Sequence, residues 1–94
     1  MKASVNLMSI IFPGKIKIFP NTVQDILHVM VEMEAPKHVI LELYTPPGIL
    51  VYKEDFKQIQ LVDNEIDVHG MSPGVYFLRI TADYKQYTFL LVVD

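Results

Sequence analysis

Apolar and polar side chains alternate with a period of two along most of this chain, and clusters of proline and glycine cut the alternation into short runs. Lys15-Ile16-Lys17-Ile18-Phe19 shows the pattern. Pro20-Asn21 ends it, because proline has no amide hydrogen and biases the residue before it toward extended geometry. A period of two sends successive side chains to opposite sides of a strand, whereas a helix needs an apolar stripe repeating every 3.6 or so residues. Such runs hide their apolar side only by packing one sheet surface against another.

Further runs follow at regular spacing. Ile26 to Met33 places Leu27, Val29, Val31 and Met33 on one side and His28, Met30 and Glu32 on the other. After an expected turn at Ala35-Pro36-Lys37, Val39, Leu41 and Leu43 oppose Ile40, Glu42 and Tyr44. Thr45-Pro46-Pro47-Gly48 predicts a reversal, since the prolines fix φ and the glycine accepts a positive φ. Ile49 to Phe56 reads as a fourth strand and Glu65 to His69 as a short fifth that buries Ile66 and Val68. Between them, Lys57 to Asn64 reads as a loose extended path with Ile59 and Leu61 touching the core.

Gly70-Met71-Ser72-Pro73-Gly74 is a turn cluster. Beyond it, Val75 to Thr81 is rich in aromatic and β-branched residues, with Tyr76, Leu78 and Ile80 on one side. Tyr87 to Val93 is apolar enough for a central strand covered on both sides, and the two runs read as a hairpin reversing around Asp83 to Gln86. The expected fold is all-β, an immunoglobulin-like antiparallel β-sandwich of about seven strands. It is expected to occupy residues 15–94, with residues 1–14 as an N-terminal leader or edge strand.

A chain of 94 residues supports one core, and one of this size buries only about 60 to 65% of the surface its unfolded form exposes, which leaves little room for a deep cleft. Eight Lys and Arg against eleven Asp and Glu give a net charge of −3, which offers nothing to a phosphate backbone, so nucleic acid is not expected as a partner. Without cysteine there is neither a disulfide framework nor a thiolate nucleophile. No apolar stretch approaches the roughly 18 residues of a transmembrane segment. The run Val5 to Phe12 after Met1-Lys2 is a poor signal peptide: a single lysine precedes it, Asn6 and Ser9 interrupt it, and Pro13-Gly14 stands where small residues are wanted.

No catalytic, cofactor or metal site is expected. Asp63, Glu65, Asp67 and His69 line one face of a strand, where charged side chains discourage edge-to-edge pairing more readily than they gather a cation. Asp25 and His28, three apart, fall on opposite faces, and His38 has no partner near it in sequence. None of Ser4, Ser9 and Ser72 sits in a nucleophile turn, and glycines at 14, 48, 70 and 74 form no phosphate cradle. Tyr76 reads as a core tyrosine whose hydroxyl bonds nearby backbone, and the methionines read as gap fillers. The side carrying His28, Met30 and Glu32, with Ile40 and Tyr44 beside it, is the expected partner surface, because it leaves more apolar area than a lone monomer usually shows.

Three motifs in order carry a resemblance. They are Ile18-Phe19-Pro20-Asn21 followed by Asp25 to Val29; Leu43-Tyr44 followed by Gly48 to Tyr52; and Met71 to Ile80 with its Gly74-Val75-Tyr76 centre, closed by Leu91-Val92-Val93. From Ile16 to Val93 the chain resembles the C-terminal sorting domains of the type IX secretion system, found on secreted proteins of Bacteroidetes. Thr22 stands where the second proline is usual, Pro46-Pro47 replaces a more polar turn, and Asp94 stands where lysine is frequent.

The resemblance implies a non-catalytic module recognised as a folded sandwich by outer-membrane export machinery. Its route would run through the periplasm to the cell surface or medium. Recognition would fall on Gly74, Val75, Tyr76, Leu91, Val92 and Val93, with Pro20, Asn21, Gly48, Pro73 and Gly74 shaping the turns. In that family the module follows a large cargo, so a chain of this length is expected to be an excised domain or a stand-alone relative. The competing expectation is a stand-alone adhesion or ligand-binding β-sandwich that self-associates as a homo-oligomer through an exposed edge strand.

Overall fold

The structure, a computed structural model, describes residues 14–94. The leader or edge strand expected over residues 1–14 lies outside this range apart from Gly14, which opens the first strand. The described residues form five antiparallel strands: β1 (Gly14–Phe19), β2 (Ile26–Tyr44), β3 (Leu50–Asp67), β4 (Gly74–Ala82) and β5 (Lys85–Val93). There is no helix among the described residues.

β2 organises the sheet because it is long enough to serve two neighbourhoods. Its first half pairs with β1, Gly14 opposite Met33 and Phe19 opposite His28. Its second half pairs with β4, Val39 opposite Ala82 and Tyr44 opposite Phe77. β3 pairs with both halves, Leu27 opposite Ile66 and Leu41 opposite Glu54. A strand has two edges, so β1 and β4 share one edge of β2 in succession while β3 runs along the other. β4 and β5 then form a regular hairpin, from Gly74 opposite Val93 to Ala82 opposite Lys85.

The sheet curls on itself at the register shifts between Glu32 and Val39. Two contacts close the curl. Val23, just beyond β1, bridges Val93 in parallel, with its N–H donating to Val92 O at 2.9 Å and its carbonyl accepting from Asp94 N at 2.9 Å. At the other side Asn64 donates to the Tyr52 hydroxyl at 2.9 Å, joining the two ends of β3. Partial burial, and less strongly the Glu54 carboxylate, raise the Tyr52 phenol above its ordinary pKa, with the Asn64 bond pulling the other way.

The concave face is the core. Leu27, Val29, Val31 and Met33 from one half of β2 and Val39, Leu41 and Leu43 from the other are buried, as the alternation predicts. They meet Ile16, Ile18, Val62, Ile66, Val68, Tyr76, Leu78, Ile80, Tyr87, Phe89, Leu91 and Val93 in one cluster. Each fully buried Leu, Ile or Val is worth about 1.5–3 kcal/mol of transfer free energy, and among the described residues no charged side chain is buried with them.

Among the described residues five strands replace the roughly seven expected. Ala35-Pro36-Lys37 is no turn: β2 passes through it with a bulge, the setting in which a strand tolerates proline's missing donor. The loose path expected at Lys57 to Asn64 is part of β3, and Gln58 at φ 51° breaks its alternation. Consequently Val62 is buried and Leu61, expected to touch the core, is 49% exposed; Ile59 does pack against it. β5 was expected to be central and covered on both sides, yet it ends the sheet path, and its outward-facing Thr88 and Leu90 are exposed. The reversals at 45–48 and 70–74 form as expected. Gly48 N–H donates to Thr45 O at 2.8 Å and Met71 N–H to Val68 O at 3.0 Å, with Gly48 at φ 97° where a side chain would strain the turn.

Candidate recognition surface

The six residues expected to recognise a partner are brought together as three facing pairs at the open end of the β4–β5 hairpin: Gly74 with Val93, Val75 with Val92, Tyr76 with Leu91. Alternation divides them. Tyr76, Leu91 and Val93 point into the core, whereas Val75 is exposed and Val92 partly so. Tyr76 donates its hydroxyl to Ser72 O at 2.6 Å, tying β4 to the turn before it through a buried ring with a satisfied polar tip.

The outward members continue as an apolar strip. Leu90 faces Phe77, and Phe77 faces Tyr44, so three strands contribute side by side, with Val75 and Val92 one step along. Leu90 and Val75 are exposed and Phe77 and Tyr44 half-buried. A shallow groove of about 300 Å³ runs beside the strip between Tyr44, Phe77 and the Thr45-Pro46-Gly48 reversal, and ends at Arg79 and Thr88.

The next row is polar and locked. The Arg79 guanidinium lies 4.8 Å from the centre of the Tyr44 ring, donates to the Tyr44 hydroxyl at 2.6 Å and to Glu42 Oε1 at 3.2 Å, and so is already spent on its own strand neighbours. Removal from water, then the Glu42 carboxylate, raise the Tyr44 pKa, with Arg79 opposing them, so the phenol is neutral at neutral pH.

The surface expected around His28, Met30, Glu32, Ile40 and Tyr44 is divided by the bulge. His28 stacks on Phe19 at 4.9 Å and lies 3.5 Å from Glu65 in the first half of β2, while Ile40 and Tyr44 belong to the second. Asp63, Glu65, Asp67 and His69 do share the exposed side of β3 and its continuation, but Asp67 accepts the His69 N–H at 2.9 Å, and among the described residues no three His, Cys, Asp or Glu side chains gather as metal ligands would.

Two features escaped the sequence reading. Asn21, read as a turn residue, spans the outer edge of β5: its amide donates to Leu90 O at 3.1 Å and its carbonyl oxygen accepts from Val92 N at 3.1 Å. The side chain thus copies what a paired strand's backbone would do. His38 gains partners from the next strand, β3, and from the β4–β5 turn. Its Nε2 meets Asp55 Oδ1 at 2.5 Å, its N–H donates to Asp83 Oδ1 at 3.0 Å, and Lys37 pairs with Asp83 at 3.7 Å. Only the Asn21 position after proline carried a local signal; the others depend on register.

These features define a small all-β module offering apolar contact and strand edges. Residues 17–94 match the family model described as the secretion system C-terminal sorting domain, and the chain belongs to that family, the sorting domains of type IX secretion. Membership implies interaction with secretion machinery and export to the cell surface or medium; the family is not known as catalytic. No curated protein matches the chain. No helix among the described residues is long and apolar enough to cross a membrane.

Proposed function

We propose that residues 15–94 form a non-catalytic sorting signal, recognised by outer-membrane export machinery as a folded immunoglobulin-like sandwich rather than as a linear peptide. The single observation that carries this reading is that the family match, 17–94, coincides with the span that shares one core. A linear signal needs no such core. Recognition on this reading uses the outer strip of the last hairpin, Val75, Val92, Leu90 and Phe77, while Tyr76, Leu91 and Val93 hold the strip in place. The route runs through the periplasm to the surface, with removal of the domain upstream of Lys15.

The test is a reporter carrying a signal peptide and residues 1–94, expressed in a host with the type IX apparatus. Export of the wild-type fusion, with retention of a folded Val75→Asp, Val92→Asp fusion in the periplasm, is the expected result. Retention of both, or export of a fusion whose domain is unfolded by Leu78→Asp, contradicts it. A second reading, a stand-alone adhesion or ligand-binding sandwich, draws on the same exposed apolar strip; binding of partner proteins without export would favour it.

A further inference from the structure

The hairpin that joins β2 to β3 ends in an uncharged tip: residues 43–52, Leu-Tyr-Thr-Pro-Pro-Gly-Ile-Leu-Val-Tyr, contain neither acid nor base. Pro46 to Val51 are all exposed, with Ile49 at 62%, Leu50 at 45% and Val51 at 41%. The period of a strand turns at least one of three successive side chains toward the core. Here Leu43 is the last buried residue of β2 and the register shifts just beyond it, so all three stay outside.

The backbone of the tip has already spent its donors. Thr45 N–H donates to Ile49 O at 2.9 Å, Gly48 N–H to Thr45 O at 2.8 Å and Ile49 N–H to the Thr45 hydroxyl at 3.1 Å, while Pro46 and Pro47 have no N–H. Such a loop enters a layer poor in water without leaving a donor unsatisfied. At its foot Lys53 faces Glu42 and Glu42 faces Arg79, whose Nη2 lies 3.1 Å from the Glu42 carboxylate. Positive, negative and positive groups thus collar the tip, the complement of a headgroup layer that carries both phosphate and ammonium. From Glu42 to Thr45 the chain rises about 10 Å, the depth that interfacial segments reach.

We propose that the Pro46–Val51 tip inserts into the interface of a zwitterionic lipid bilayer and holds the domain against a membrane surface without crossing it. Ile49, Leu50 and Val51 enter the acyl boundary, Tyr44 and Tyr52 lie at headgroup level, and the row of Lys53, Glu42 and Arg79 meets the headgroups. Lipid is the occupant rather than an added protein strand because every N–H from Thr45 to Ile49 is either bonded within the reversal or missing at proline. The lipid is zwitterionic rather than anionic because the chain itself carries a charge of −3. The inference goes beyond the export reading and does not rest on it, since it is read on lipid alone, where no machinery is present.

The experiment uses the whole chain and sucrose-loaded phosphatidylcholine vesicles. The sequence has no tryptophan, so Ile49→Trp gives a single reporter, and Tyr84→Trp, in the turn at the far end of β4, is its control. Cosedimentation at about 1–10 mM lipid, weaker than one acyl chain confers, is the expected result. The Trp reporter at 49 should shift to the blue and be quenched by brominated acyl chains, and the one at 84 should do neither. Ile49→Asp with Val51→Asp, both at exposed positions, should leave circular dichroism unchanged and weaken binding at least about tenfold; Ile49→Ser, weakening it about threefold, serves if that variant does not fold. Replacing part of the lipid by phosphatidylglycerol should not strengthen binding. No cosedimentation at about 10 mM lipid, undiminished binding of the substituted tip, equal shifts at 49 and 84, or binding to phosphatidylglycerol vesicles alone that salt abolishes would each overturn the proposal.

Discussion

The β4–β5 hairpin and β3 are built from similarly strand-prone sequence, but they hold the molecule together to different degrees. The hairpin keeps one unbroken register over nine pairs and buries Tyr76, Leu78, Ile80, Tyr87, Phe89, Leu91 and Val93 on one side. β3 is twice as long as either hairpin strand and buries only Val62 and Ile66 within its span, because register shifts and the positive φ of Gln58 rotate its side chains out of phase. Strand length therefore says little about contribution to stability; an uninterrupted alternation says more. The hairpin anchors the fold, and β3 wraps it.

Substitutions on either side of this contrast should separate sharply. Leu78→Ala, at a fully buried position on β4, is expected to cost about 3–4 kcal/mol in urea unfolding, whereas Leu61→Ala on β3 should stay within about 0.5 kcal/mol. Equal losses would erase the distinction. Asn21→Ala removes two hydrogen bonds to the β5 edge and should cost about 1–2 kcal/mol, with faster hydrogen exchange at the Val92 amide than at Thr81. Unchanged Val92 exchange would mean that Asn21 does not clasp the strand.

Smaller effects sharpen the comparison further. Tyr76→Phe deletes the bond to Ser72 O and should lower stability by about 1 kcal/mol without altering the fold's circular dichroism. Tyr52→Phe deletes the link to Asn64 on the weaker strand, in a partly exposed setting where water replaces the lost partner, and should cost about 0.5 kcal/mol. A loss from Tyr52→Phe exceeding that from Tyr76→Phe would place the anchor in β3 instead.

The all-β class, the final hairpin and the inward face of its first strand were legible because Tyr76, Leu78 and Ile80 fall on one side and Gly70 to Gly74 marks the start; Tyr87 to Val93, apolar on both sides in sequence, hid which of its faces turns outward. Strand count was not legible. Pro36 signals a break in hydrogen bonding, and turn and bulge present the same break to a reader of local sequence; only the pairing of both flanks with β3 tells them apart. The same holds for Gln58, whose left-handed backbone no residue type announces. At the recognition surface, alternation sorted Val75 from Tyr76, but the convergence of Tyr44, Phe77 and Leu90 depends on which strands neighbour which. Asn21 was singled out for its place after proline, and its reach to Leu90 and Val92 spans some seventy residues of chain.

The central claim is that one continuous strand, β2, carries both halves of a curled sheet. Nuclear magnetic resonance of the labelled chain tests it directly through contacts between backbone protons. The account requires Val31 to meet both Ile16 and Val62, and Leu41, only ten residues on, to meet both Ile80 and Glu54. A reversal at Ala35 to Lys37 that brings Val31 against Leu41, or helical contacts through this segment, would contradict it.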